Sequence, residues 1–307
     1  MFNWLWLLRV VLLGFTGTVA LAAVSFSTGR APSPQTSNPA EVTVPSSKAR
    51  TQPLSPEPLP MATVPSQTQE EPPAEDAFNL QASVQRHASL FATPTSLGML
   101  AIGIAEGNYR VWSDQSTIYV QQTPAYFGHV DPGNLSWGAV VKNYGPCSDQ
   151  GRSGGNIALA EQFCLQRSRS QLATHLQDLQ AVGINPDQDV EAVLNTADLY
   201  NQAKPIHSRQ FPKALAIARQ GGLSGAEALT WARTASFYLN ANNEFDLTAG
   251  DNHASGLIGI CARERRPITE WECVYEDQQR RVEAIAHVLE QYRLLAQQKQ
   301  KAGSSSS

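Results

Sequence analysis

The sequence predicts an α+β domain that is predominantly α-helical, with one small β-hairpin. Three observations predict it. From Thr93 onward, apolar residues recur mostly at three- and four-residue steps. One stretch, Tyr109–Val120, is instead β-prone and interrupted by polar residues. There is no strand–helix–strand alternation, and neither a G-x-G-x-x-G nor a Walker-type loop occurs.

The chain begins with an apolar run, Val10–Phe26, that carries no charge and follows Arg9. A span of about 20 apolar residues crosses a bilayer. A cleaved signal has a shorter apolar core ending in small residues, and Ala20-Leu21-Ala22 offers such a site. Residues 1–26 are therefore expected to be a signal peptide or a membrane anchor, with Trp4 and Trp6 at the interface. Residues 27–76 hold eleven of the chain's 19 prolines, amid Ser, Thr and Gln. Such a segment buries too little apolar surface to offset its ordering entropy. It reads as a disordered, extended linker that would hold a domain away from a membrane. Residues 77–299 are the expected folded domain, and 300–307 a disordered tail.

Charge narrows the function. Lys and Arg total 23 against 27 Asp and Glu, a net charge of −4. Residues 1–76 contribute 4 − 6 = −2 and the remainder 19 − 21 = −2. Neither part is basic, which argues against nucleic-acid binding. It also removes the simplest electrostatic reason for binding an anionic wall polymer.

All four cysteines fall in the folded part. Of three possible pairings, the locally closed one, Cys147–Cys164 and Cys261–Cys273, is expected. Each bridge then closes a loop of roughly 15 residues, worth about 3 kcal/mol in the chain-entropy model. No C-x-x-C occurs, so a zinc ribbon has no support. An export segment and an even cysteine count agree on an oxidising compartment, periplasmic or extracellular.

Within the domain, Thr93-Pro94-Thr95-Ser96 starts a helix that runs through Leu97, Leu100 and Ile104 and stops at Gly107. Tyr109, Val111, Ile118 and Val120 then form a hairpin around Ser113–Ser116. Asp131-Pro132-Gly133-Asn134 matches a type II turn. Later helices are marked by Leu172, Leu176, Leu179 and Val182, and by Val190, Val193, Leu194 and Ala197. A third carries Ala228, Ala232, Ala235 and Leu239. His207–Arg219 adds a shorter one, and Asp277 opens a last one through Val282, Ile285, Leu289 and Tyr292.

Glu106 is the residue that stands out. It closes an apolar helix, where the helix dipole is negative. The dipole and its apolar neighbours Ile102 and Ile104 both disfavour ionisation, which suits a proton donor. The alternative is a solvated last-turn Glu paired with Arg110. Asp114 and Asp131 are candidate second carboxylates, each with a turn role as its alternative. His129 lines a cleft or serves structure. Tyr109, Trp112, Tyr126 and Trp137 offer faces for sugar rings or fill the core. Asp277 and Arg281 are spaced for an i,i+4 pair, and Arg280 or Arg281 has the alternative of reaching a buried acid. His129, Asp131, His207, Asp251 and His253 match no zinc spacing, so no metal or other cofactor is expected.

Glu106-Gly107, the polar hairpin and Tyr126-Phe127-Gly128-His129 together resemble the phage-type muramidase branch of the lysozyme-like superfamily. The resemblance covers about 40 residues. It implies a lysozyme-like domain in which Glu106 is the general acid. Asp114 corresponds to the second carboxylate and Gly128-His129 to the later pair. Thr117 and Thr123 both remain open as the water-positioning Thr. The chain departs from lytic transglycosylases, which follow their Glu with Ser. Its Ser255-Gly256-Leu257-Ile258-Gly259 also lacks the glutamine of their Gly-Leu-Met-Gln element. The expected function is an exported glycoside hydrolase acting on peptidoglycan. The alternative is a non-catalytic envelope module that binds a glycan or a protein. The expected partners are peptidoglycan or another glycan, and the membrane if the N-terminal segment is uncleaved.

Overall fold

A computed structural model describes residues 78–114 and 117–304, all within the second of the chain's two units, Glu70–Ser307. The apolar segment, the linker and the hairpin's turn residues lie outside the described residues. The domain is mostly helical, with three two-stranded antiparallel sheets rather than the single hairpin expected.

Helix α2 (Leu97–Ala105) is the centre of the fold. It is apolar on every side, and a helix of that kind must be covered all round. Met99, Leu100, Ala101, Ile102 and Ala105 are buried. Its neighbours are a short turn at Ala88–Phe91, α5 (Val190–Gln202) and α10 (Glu270–Ser304). Ser96 takes the N-cap position as expected, but its hydroxyl accepts from Thr93 N at 2.8 Å rather than from the helix. At the other end Gly107 adopts φ +79°. Gly107 N donates to Ile104 O at 3.0 Å and Asn108 N to Gly103 O at 2.7 Å. These are the two bonds of a Schellman stop, and they leave Glu106 as the C-cap.

Strand β1 (Tyr109–Asp114) pairs with β2 (Thr117–Gln122), with Trp112 opposite Tyr119 and Asp114 opposite Thr117. Two further sheets, β3 (His129–Val130) with β4 (Lys142–Asn143) and β5 (Tyr238–Leu239) with β6 (Asp251–Asn252), are two-residue ladders. Strands that short leave no alternation to read.

Four other expectations change. Asp131 does not open a type II turn. It caps a short helix, α3 (Pro132–Leu135), accepting from Asn134 N at 2.9 Å. Pro fits the first helical position as well as it fits a turn. His207–Arg219 is two helices, α6 (Pro205–Ser208) and α7 (Phe211–Gln220). Helix α8 (Gly225–Ala235) ends before Leu239, which is buried from β5 and not from a helix. Asp277 does not open α10, which starts at Glu270 and continues through Ser304, into the expected tail. Thr269 and Glu272 form a capping box there: Glu272 N donates to Thr269 Oγ1 at 3.2 Å and Thr269 N to Glu272 Oε2 at 2.8 Å.

Helix α4 (Ile157–Gln180), capped by Asn156, packs on α1 (Leu80–His87) and α5. Helices α7 and α8 (Gly225–Ala235) stack, and α8 meets α10. Helix α9 (Ser255–Arg263) meets α3 and α10. Cys147 bonds Cys164 and Cys261 bonds Cys273, as expected. Among the described residues, no helix is long and apolar enough to cross a membrane.

Candidate active site around Glu106

Glu106 sits where α2, α5, α10 and the loop after β4 converge. Its side chain is 13% exposed. Oε1 accepts from Asn201 Nδ2 at 3.0 Å and from a guanidinium nitrogen of Arg281 at 3.1 Å. Oε2 accepts from Ser148 Oγ at 3.3 Å. Arg110 is elsewhere, exposed on β1 opposite Gln121, so the expected alternative pair does not form. Arg281 takes that position instead, from α10.

Arg281 belongs to a buried chain of charge. It also donates to Asp198 Oδ1 at 3.1 Å, and its Nε lies 3.4 Å from Asp277 Oδ2. Asp198, fully buried on α5, accepts in turn from Arg233 at 2.6 Å. Arg233 is fully buried and also reaches Gln278 Oε1 at 2.7 Å and Asn195 O at 3.0 Å. Burial alone would lower the Arg281 guanidinium, but Glu106, Asp198 and Asp277 outweigh it and hold the group above the ordinary arginine range. Arg233 is pulled below that range by burial, with Asp198 opposing. Burying several charges together is tolerable only when each is paired and hydrogen-bonded.

The loop between β4 and α4 supplies Ser148. Asn108, next to the Gly107 stop, donates to Gly145 O at 2.9 Å and to Pro146 O at 3.3 Å. Asp149 is fully buried and accepts from the backbone N–H groups of Tyr144, Gly151 and Ser153 at 2.9, 3.1 and 2.7 Å. Cys147 is tied to α4 through Cys164. The loop thus holds Ser148 at φ +59°, a conformation that costs a non-glycine residue roughly 1–2 kcal/mol.

The other expected site residues scatter. Asp114 is exposed at the far end of β1. At about 3.3 Å per residue, the strand carries it about 17 Å from Tyr109. Asp131 is committed to structure: Oδ1 caps α3 and Oδ2 accepts from Asn143 Nδ2 at 3.2 Å. His129 Nδ1 donates to Ala125 O at 2.8 Å, which fixes the ring in the loop. Tyr109 and Tyr126 are core residues, with ring centres 5.2 Å apart. Burial pushes the Tyr109 hydroxyl up to about 12, and burial with the Glu161 hydrogen bond raises Tyr126 as well. Trp112 and Trp137 are the exposed pair, at 45% and 63%. Trp112 stacks on Tyr119 with centres 5.7 Å apart. Thr123 donates to Gly107 O at 2.8 Å, beside Glu106, whereas Thr117 is at the hairpin tip. Of the histidines and aspartates weighed as metal ligands, His207 and His253 come together, with ring centres 5.8 Å apart, but among the described residues no group of three or more His, Cys, Asp or Glu could hold an ion.

Sequence reasoning missed Ser148, Asn201 and Asp198. Ser and Asn are too common in loops and helices to stand out. Asp198, between Ala197 and Leu199 on the helix that Val193 and Leu194 mark, was the one readable sign. A cavity of about 260 Å³ lies close by, lined by Leu257, Ile260, Asp277 and Arg280 among others. Arg280 joins it to the site by donating to Ala105 O at 2.8 Å. Comparison of the chain with protein-family models, curated proteins and solved structures finds no match, so the functional argument rests on this geometry.

Proposed function

We propose that the chain is an exported peptidoglycan glycoside hydrolase with a lysozyme-like domain, in which Glu106 is the general acid. One observation carries the reading. Glu106 is a partly buried carboxylate at the end of a buried apolar helix, with Oε1 saturated by two N–H donors and Oε2 met only by a hydroxyl. Oε2 is the less engaged oxygen, and in this reading it is the one that gives the proton. In the reaction, the Oε2–H bond breaks and the glycosidic oxygen takes the proton. The C1–O electron pair leaves with that oxygen, water adds at C1 through an oxocarbenium-like transition state, and the proton that water sheds returns to Oε2 and restores the acid. Thr123, bonded beside Glu106, supports the role of water-positioning residue. Asp131 has both oxygens engaged and Asp114 stands exposed at the far end of β1, farther than the roughly 5–10 Å that separates paired glycosidase carboxylates, so the reading rests on Glu106 alone. The exposed faces of Trp112 and Trp137 suit stacking on sugar rings. The two disulfides agree with an oxidising compartment.

A second reading has its own observation. Arg281 occupies Glu106 in an ion pair, and among the described residues no carboxylate hydrogen-bonds to Glu106. A scaffold that binds envelope glycan or protein without cleaving it fits that arrangement. A peptidoglycan zymogram separates the two. Wild type should clear the gel. Glu106→Gln should not, with its circular dichroism and melting curve preserved. Lysis retained by Glu106→Gln removes the general-acid role. A wild type that sediments with sacculi but clears nothing establishes the second reading.

A further inference from the structure

We propose that Ser148 is the positioning residue of Glu106: its hydroxyl holds Oε2, the proton-bearing oxygen, and steadies that oxygen as the proton leaves. The inference rests on the proposed role of Glu106 and adds the residue that serves it.

The two oxygens of Glu106 are treated differently. Oε1 meets Asn201 and Arg281, both pure donors at those atoms. Among the described residues Ser148 alone meets Oε2, from 3.3 Å. That distance is loose, and catalytic hydrogen bonds are often long before substrate arrives. When Oε2–H breaks and the proton passes to the glycosidic oxygen, negative charge appears on Oε2. The Ser148 O–H···Oε2 bond then becomes charge-assisted and stronger. Ser148 keeps its own hydrogen throughout. An interaction that strengthens only along the reaction raises kcat and leaves KM alone.

The loop holds Ser148 in place. Ser148 is buried and held at φ +59°, and Gln150 shares that unusual φ. Asp149 between them takes three backbone N–H groups. Cys147 anchors one side to α4, and Asn108 anchors the loop to the end of α2. Strain that the surroundings over-determine in this way clusters at functional sites.

Glycine adopts this φ freely and lacks the hydroxyl, so Ser148→Gly separates the two roles of the residue. Ser148→Gly should melt at or above wild type, yet lose about tenfold in kcat with KM unchanged. Ser148→Ala should lose kcat to a similar degree and melt lower. Full kcat in Ser148→Gly overturns the proposal, as does a loss confined to KM. A double-mutant cycle of Ser148→Gly with Glu106→Ala, read by urea melting, needs no activity. A coupling of zero overturns the positioning role. A measurable coupling in a protein that cleaves no glycan upholds Ser148 as the residue that holds Oε2 and strikes the proton-transfer part together with the proposed hydrolase.

Discussion

The helical region of α5, α8 and α10 and the short-strand region from Tyr109 to Asn156 use their carboxylates in opposite ways. In the helices, Asp198 and Asp277 face arginine side chains. In the strand region, Asp131 and Asp149 face backbone N–H groups. The difference follows from the backbone. A helix interior satisfies its own N–H and C=O groups, so a buried acid there must find a side-chain cation. An irregular loop leaves N–H groups unpaired, and a short acid can serve several of them. Glu106 lies on the border and takes one partner class from each side: Arg281 and Asn201 from the helices, Ser148 from the loop.

The largest effect should come from breaking the helical side. Arg233→Met leaves Asp198 fully buried with Arg281 as its remaining cation. Removing one partner of a buried pair costs about 3–5 kcal/mol. A urea melt should show that loss. Adding Asp198→Leu should return part of it, because the buried acid that had lost one of its two cations is gone. A loss under about 1 kcal/mol for Arg233→Met would mean that the buried charges do not hold the helices together.

How much of this was legible in the sequence depends on what each feature is made of. The α2 stop was readable because glycine adopts φ +79° without the cost other residues meet. Both disulfides followed from local spacing. The start of α10 was legible too: Thr269-Glu270-Trp271-Glu272 is a capping box that the search for apolar periodicity passed over. The pairs β3–β4 and β5–β6 were not legible, since two-residue ladders are set by tertiary contact. For the site, Glu106 was readable from its place on one helix. Its partners Ser148, Asn201 and Arg281 come from elements 42 to 175 residues away. Arg281 reaching an acid was foreseen only as an alternative to its own i,i+4 pair, and it makes both contacts.

A milder test of the helical side uses pH. His175 on α4 is buried against the Tyr200 ring, with centres 5.2 Å apart. Burial lowers its midpoint to about 4, with Asp178 opposing and Arg209 assisting. The unfolded chain keeps the ordinary value near 6.5. Between those values the unfolded state binds more protons, so stability is complete above about 6.5 and falls as pH drops toward 4. At pH 5 the loss is about 2 kcal/mol. His207, also lowered to about 4 mainly by burial, adds in the same direction. His175→Gln should flatten this part of the profile in melts between pH 7 and pH 4.5. An unchanged slope would remove His175 as its source.

The smallest effect tests the strand side, at Asp131. As a cap it needs only an oxygen acceptor, and Asn serves nearly as well as Asp at that position; the bond from Asn143 to Oδ2 is the one contact that the amide gives up. Asp131→Asn should therefore keep the cap and stay within about 1 kcal/mol of wild type, the worth of the one hydrogen bond to Asn143. Asp131→Ala should lose about 1 kcal/mol more through the missing cap. The substitutions also separate structure from chemistry. A catalytic carboxylate does not survive conversion to an amide, because the amide can neither take a proton nor balance a developing cation. If Asp131 serves α3 alone, Asp131→Asn keeps wall-lytic activity within about twofold and Asp131→Ala loses it only as far as the protein unfolds. Loss of lysis in Asp131→Asn with the melting curve intact would return Asp131 to the catalytic pair. The strand region would then share its acids between backbone and substrate, and the contrast with the helical side would narrow to Asp149.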